Sequence, residues 1–125
     1  MKTRIALGAL LLSVLSLPAL AAGPFNAEID CGGVVSPPAT VPFTLRLESQ
    51  AQQAQAIDLT VHLTFPTGRT ITLRDATISL GANQNRVIDQ SLSLPANAPA
   101  GSYTMTLVAR SNTHSTFDTC SFNAS

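Results

Sequence analysis

Alternation of apolar and polar residues at every second position is the feature that most restricts this chain. Ile57, Leu59, Val61, Leu63 and Phe65 are separated by Asp58, Thr60, His62 and Thr64. Successive side chains of a strand point to opposite faces, so this pattern builds a strand with one buried face. A helix, whose faces repeat every 3.6 residues, cannot use it. Phe43, Leu45 and Leu47 alternate with Thr44, Arg46 and Glu48, and Tyr103, Met105, Leu107 and Ala109 with Thr104, Thr106 and Arg110. Ile71 and Leu73, then Ile78 and Leu80, form two shorter runs. Ile88, Leu92 and Leu94 form another, in which Gln90 falls on the inward phase and predicts a bulge.

Turn residues separate these runs. Pro66-Thr67-Gly68 links two strands tightly, Pro37-Pro38 closes an opening segment, and residues 95–101 make a longer corner. The only helix candidate, residues 50–56, is too short to be stable alone. Eight strands are expected, over residues 25–31, 42–48, 57–65, 69–74, 77–80, 86–94, 102–110 and 116–122. That many short strands in about 100 residues specify an all-β fold: two packed antiparallel sheets, with a closed barrel as the competing architecture.

The N-terminus sets the compartment. Lys2 and Arg4 precede an apolar run from Ile5 to Leu17, Pro18 ends it, and Ala19-Leu20-Ala21 supplies the small residues of a signal-peptidase site. The run is about 13 residues, short of the roughly 20 that cross a bilayer. A signal peptide over residues 1–21 is expected, followed by one domain over residues 22–125, exported to the periplasm or beyond the cell. After Ala21 there are five Arg, no Lys and seven Asp or Glu, a net charge of about −2. Without clustered cations the domain has little to offer a phosphate backbone, so nucleic acid is an improbable partner. No later stretch is long and apolar enough to span a membrane. Two cysteines remain, Cys31 and Cys120. In an oxidising compartment an even pair reads as one disulfide; intermolecular pairing and metal-bound thiols are the alternatives.

The segment Leu94-Pro95-Ala96-Asn97-Ala98-Pro99-Ala100-Gly101-Ser102-Tyr103-Thr104-Met105-Thr106-Leu107 resembles the E–F corner of bacterial immunoglobulin-like domains, whose pattern includes Pro-Ala-Gly-x-Tyr-Thr. The hairpin Phe65-Pro66-Thr67-Gly68-Arg69 is also similar to theirs. The resemblance spans residues 57–109 and implies an immunoglobulin-like sandwich of seven or eight strands. In it, Gly101 takes a backbone conformation other residues resist, and the Tyr103 hydroxyl reaches backbone across the corner. Unlike antibody domains, the chain has no Trp, and its cysteines lie on the expected first and last strands. If those strands run side by side, as this topology allows, Cys31–Cys120 fastens the two ends together. The fold implies no activity, because it hosts many.

No residues assemble a catalytic motif. There is no Gly-x-Ser-x-Gly turn, and the carboxylates are few and dispersed. His62 and His114 lack the spacing of metal ligands and are read as surface residues, so neither a metal nor a cofactor is expected. A single Tyr, no Trp, and phenylalanines on inward phases (Phe117 excepted) disfavour stacking on sugars.

In an immunoglobulin-like topology the B–C, D–E and F–G loops gather at one end. Here they are residues 50–56, 81–85 and 111–116. They carry Gln52, Gln53, Gln55, Asn83, Gln84, Asn85, Asn112, Thr113 and His114, amide- and hydroxyl-rich with almost no charge. Such side chains make adaptable hydrogen bonds in paratopes, but they also populate turns generally. Pilus-type strand exchange is disfavoured because the chain has its own last strand. The expected function is a non-catalytic exported binding or accessory domain, recognising a protein or cell-envelope component through these loops or a sheet edge. A small secreted hydrolase inhibitor is the competing reading, and oligomeric state is left open.

Overall fold

The computed structural model describes residues 24–125. The expected leader, its cleavage point and the 1–21/22–125 boundary lie outside the described residues. Eight strands follow one another: β1 Phe25–Asp30, β2 Val34–Val35, β3 Ala39–Ser49, β4 Gln55–Thr64, β5 Thr70–Leu80, β6 Asn85–Leu94, β7 Gly101–Arg110 and β8 Ser115–Ala124. There is no helix among the described residues. A three-stranded sheet runs β1-β3-β6 and a five-stranded sheet runs β2-β8-β7-β4-β5. All pairings are antiparallel except β2 with β8. This is an immunoglobulin-like β-sandwich.

The inward phase of each alternating run fills the space between the sheets. Ile57, Leu59, Val61 and Leu63 of β4 meet Val41, Phe43, Leu45 and Leu47 of β3 in one core with Tyr103, Met105, Leu107 and Phe122. All are buried; Phe117, off this phase on β8, is 71% exposed. Tyr103 stacks on Phe122 with ring centroids 5.1 Å apart and lies 5.4 Å from Phe65. Its hydroxyl donates to the Pro99 carbonyl at 2.6 Å, closing the corner as the resemblance implied. Gly101 opens β7 with φ of 131°, and a Cβ there would come within 2.9 Å of Pro66. Only glycine can hold the corner and the β4–β5 hairpin in contact.

Three expectations need correction. Residues 69–74 and 77–80 are one strand, β5, because Val61 pairs with Arg74 while His62 pairs with Thr72. Leu73 is the extra residue of a β-bulge, which moves the inward phase from Ile71 and Leu73 to Ala76, Ile78 and Leu80. A change of phase within a strand imitates a break between two. Gln90, by contrast, marks no bulge: it pairs regularly with Phe43, and its Oε1 accepts from Arg74 Nη1 at 2.9 Å.

The third correction concerns the disulfide. Cys31 and Cys120 are bonded, with Cα atoms 5.6 Å apart. However, β1 pairs with β3, not with β8. After Cys31 the chain changes sheets through Gly33, whose φ is 90°, and β2 then lies parallel to β8 at Asn123 and Ala124. The disulfide therefore ties one sheet to the other at this crossing, and β2 rather than β1 runs beside the last strand. A hydrogen bond from Ile29 N–H to Asp118 Oδ2 at 2.9 Å spans the same gap.

Candidate functional site

The strand directions bring the 50–54, 81–84 and 111–114 connections to one end of the sandwich. The first two are bonded to each other. Ser49 N–H donates to the Gln84 carbonyl at 2.9 Å and Asn83 N–H to the Ala51 carbonyl at 3.1 Å. Within the second loop, Gly81 N–H donates to Gln84 Oε1 at 2.6 Å, and Asn83 takes a φ of 53°, which Asn tolerates better than most residues. Ser49, buried, accepts from Ala51 N–H at 3.1 Å. Each loop is thereby locked by its own polar groups.

The third loop closes on Ser111. Its N–H donates to the His114 carbonyl at 2.8 Å, and its Oγ accepts from His114 N–H at 3.2 Å and Thr113 N–H at 3.4 Å. The His114 ring stands edge-on to buried Phe25, centroids 5.0 Å apart. Phe25 pairs with Ser49, and the carbonyl of the preceding Pro24 accepts from Gln50 N–H at 3.0 Å. The three loops thus share one base.

The predicted binding residues divide on this base. Gln52, Gln53, Asn83 and Asn112 are exposed on loops, and Thr113 is exposed beside Asn112. Gln84 is exposed, but its side-chain oxygen is used within its own loop. Gln55 and Asn85 are not loop residues: they open β4 and β6. His114 is half-buried and packed, where the sequence suggested a solvated side chain.

Asn85 joins this end to a depression that the sequence reading missed. A cavity of about 290 Å³ on the outer face of the three-stranded sheet is lined by Asn26, Glu28, Glu48, Asn85, Arg86 and Val87 among others. Register makes it: Asn26 pairs with Glu48 and Glu48 with Asn85, while Glu28 pairs with Arg46 and Arg46 with Val87. Arg46 is committed to an ion pair with Asp30. Apart from Arg86, which pairs with buried Leu47 on the inward phase at the sheet's edge, these residues lie far apart in sequence on outward phases, where solvated charges are ordinary, so the sequence carries no signal for them. Val87 is the one available hint, a large apolar residue on an outward phase and 60% exposed.

At the opposite end, a cleft of about 510 Å³ lies between the β4–β5 hairpin and the β6–β7 corner. Leu63, Phe65, Ile71, Leu92 and Ala98 line it, and the Arg69 guanidinium sits 5.7 Å over the Phe65 ring at its rim. The outer face of the large sheet is rich in hydroxyls that satisfy one another. Thr64 pairs with Thr70 at 3.0 Å, Thr104 with Ser121 at 3.4 Å and Thr72 with His62 Nδ1 at 3.3 Å. No group of three or more His, Cys, Asp or Glu able to hold a metal exists among the described residues.

No family model matches this chain, and no curated protein matches it either. Solved structures do. The CARDB domain of the PF1109 protein from Pyrococcus furiosus, in complex with di-metal ions, superposes with a TM-score of 0.64 at 14% identity, covering 82% of this chain and 88% of that one. A family 123 glycoside hydrolase from Clostridium perfringens gives a TM-score of 0.66 at 9% identity over 82% of this chain but 27% of that one. A beta-glucosidase from Listeria innocua in complex with glucose gives 0.64 at 10% identity, covering 81% of this chain and 16% of that one. At such identities the likeness is one of fold.

Proposed function

We propose that the chain is an exported, non-catalytic recognition module that engages a protein or cell-envelope component through its loop end. The observation that carries this reading is the bonding of three amide-rich loops into one base, continuous through Asn85 with the depression that holds Glu28, Glu48 and Arg86. Loops fixed before binding lose little freedom on contact, so their exposed amides can give affinity at low entropic cost. The Cys31–Cys120 bond and the N-terminal leader pattern support an extracytoplasmic site of action. Support for an accessory role comes from the two glycoside hydrolases, in which a domain of this shape is a minor part of a larger chain.

The test compares capture by two variants from the native cell envelope. Changing Gln52, Gln53 and Asn112 to Ala strips the loop end of side chains not used to hold the loops. Changing Thr67 and Asn97 to Ala does the same at the opposite end. A component retained by the parent and the second variant, but lost by the first at unchanged melting temperature, supports the reading. Equal retention by all three, or loss with the second variant, refutes it.

A further inference from the structure

The cleft at the end opposite the loops is built from the two connections that cap the open flank. The β4–β5 hairpin forms one wall and the β6–β7 corner the other, with Leu63 and Leu94, both buried, beneath them. Half-buried Phe65, Ile71, Leu92 and Ala98 contribute to an apolar interior of about 510 Å³, within the range of small-molecule pockets. Further along the flank the Arg74–Gln90 hydrogen bond spans the two sheets and ends the cleft.

Both walls are fixed before anything binds. Phe65 N–H donates to the Arg69 carbonyl at 2.8 Å, Gly68 N–H to the Phe65 carbonyl at 2.9 Å and Ala98 N–H to the Pro95 carbonyl at 3.0 Å. Tyr103 ties the corner to itself through Pro99, and Gly101 lets it pack on Pro66 of the hairpin. The same bonds decide what the cleft can hold. These three amide donors are spent within their own loops, and Pro95 and Pro99 have none to offer. The neutral polar side chains of the lining are Thr67, Ser93 and Asn97, all exposed. A peptide, with an amide to satisfy at every residue, finds few partners here; a hydrocarbon chain needs none.

One charge stands in this setting. The Arg69 guanidinium is held at the rim, 5.7 Å over the Phe65 ring. No carboxylate lines the cleft, and the only ion pair among the described residues is Arg46–Asp30, on the other sheet. A cation without a counter-ion, beside an apolar interior, is complementary to an anion carried on an apolar chain. We propose that this cleft binds a free fatty-acid carboxylate of medium chain length. Its tail lies against Phe65, Ile71, Leu92 and Ala98, and its carboxylate meets Arg69. The cleft is remote from the amide-rich loops, so recognition through those loops neither requires nor excludes it.

Decanoate, titrated into the purified protein below its micelle concentration, should saturate. It should shift the amide resonances of Phe65, Arg69, Ile71, Leu92 and Ala98 and leave residues 50–54 unmoved. Decyltrimethylammonium, with the same tail and the opposite charge, should bind at least about threefold more weakly. That order runs against the domain's own charge of about −2, which taken alone favours the cation. Arg69→Gln should weaken decanoate about two- to fivefold, the scale of an exposed ion pair, and leave the cation no weaker. Ala98→Phe fills the cleft and should abolish saturable binding of both. Should the filled corner fail to fold, Ile71→Gln on the opposite wall removes a tail contact and should weaken both amphiphiles at least about threefold. Absence of saturable decanoate binding, equal binding of the two amphiphiles, or shifts confined to other residues would overturn the proposal. So would decanoate binding indifferent to Arg69→Gln, or unchanged in a folded Ala98→Phe or Ile71→Gln variant.

Discussion

Tyr103 is the sole tyrosine of the chain, fully buried, and its hydroxyl is committed to the Pro99 carbonyl. Desolvation raises its pKa above the usual 10.0, because the phenolate would have to form away from water. A group whose folded pKa exceeds its unfolded one contributes stability that is complete below the unfolded value. That stability disappears as pH rises through the folded value. Up to about pH 9 Tyr103 therefore leaves stability unchanged, and above about 10 each pH unit should remove up to about 1.4 kcal/mol until the folded state also ionises. The experiment is unusually clean. Lys2 is the only lysine and lies in the expected leader, the cysteines are bonded, and arginine does not titrate in this range. Urea midpoints at pH 9 and pH 11 should differ for the parent and coincide for Tyr103→Phe. Equal drops in both proteins would place the alkaline weakness elsewhere. The side chain was readable beforehand because its motif is local: Pro99, Gly101 and Tyr103 lie within five residues.

At the scale of elements, what the sequence disclosed and what it concealed follow one rule. Strands whose alternation is unbroken, β3, β4 and β7, were legible with their faces. In β5 the alternation changes phase at Leu73, and a single chain cannot tell whether a turn or a bulge absorbs the change. Partner strand β4 decides it, by holding Val61 against Arg74 and His62 against Thr72. The site obeys the same rule. The loop residues were legible because Asn, Gln, Ser and Gly announce turns, whereas the depression of Glu28, Glu48 and Arg86 exists only through pairing of β1, β3 and β6. The bulge itself can be tested by deletion. Removing Leu73 lets Thr72 and Arg74 follow one another in regular register, with Ile71 and Ile78 still inward. The chain should fold, at a loss of about 1–2 kcal/mol for the half-buried leucine. Circular dichroism should report a retained sandwich. An unfolded chain would mean that the bulge is required by β4.

The molecule as a whole is fastened unevenly. One flank is closed by Cys31–Cys120, by the bond from Ile29 to Asp118 and by the crossing of the chain from β1 to β2. The other is bridged by the Arg74–Gln90 hydrogen bond over half-buried Ile78, Ile88 and Leu92. The closed flank matters more than its few contacts suggest, because the disulfide joins residues 89 apart. Constraining so long a loop in the unfolded chain contributes about 4–5 kcal/mol in the chain-entropy account, comparable with the net stability of many domains of this size. Replacing both cysteines by Ala should therefore lower the urea midpoint by most of its value and leave the core strands as the last to open. Amide exchange distinguishes a loosened flank from a general loss. In the double variant, protection should fall first in β1 and β2, whose ends the disulfide holds, while Leu59, Val61, Met105 and Leu107 in the paired strands β4 and β7 exchange only with global unfolding. Uniform loss across both sheets would mean that the disulfide acts only on the unfolded chain. Earlier exchange in β5 and β6 would make the open flank, not the sulfur-closed one, the weaker side of the native sandwich.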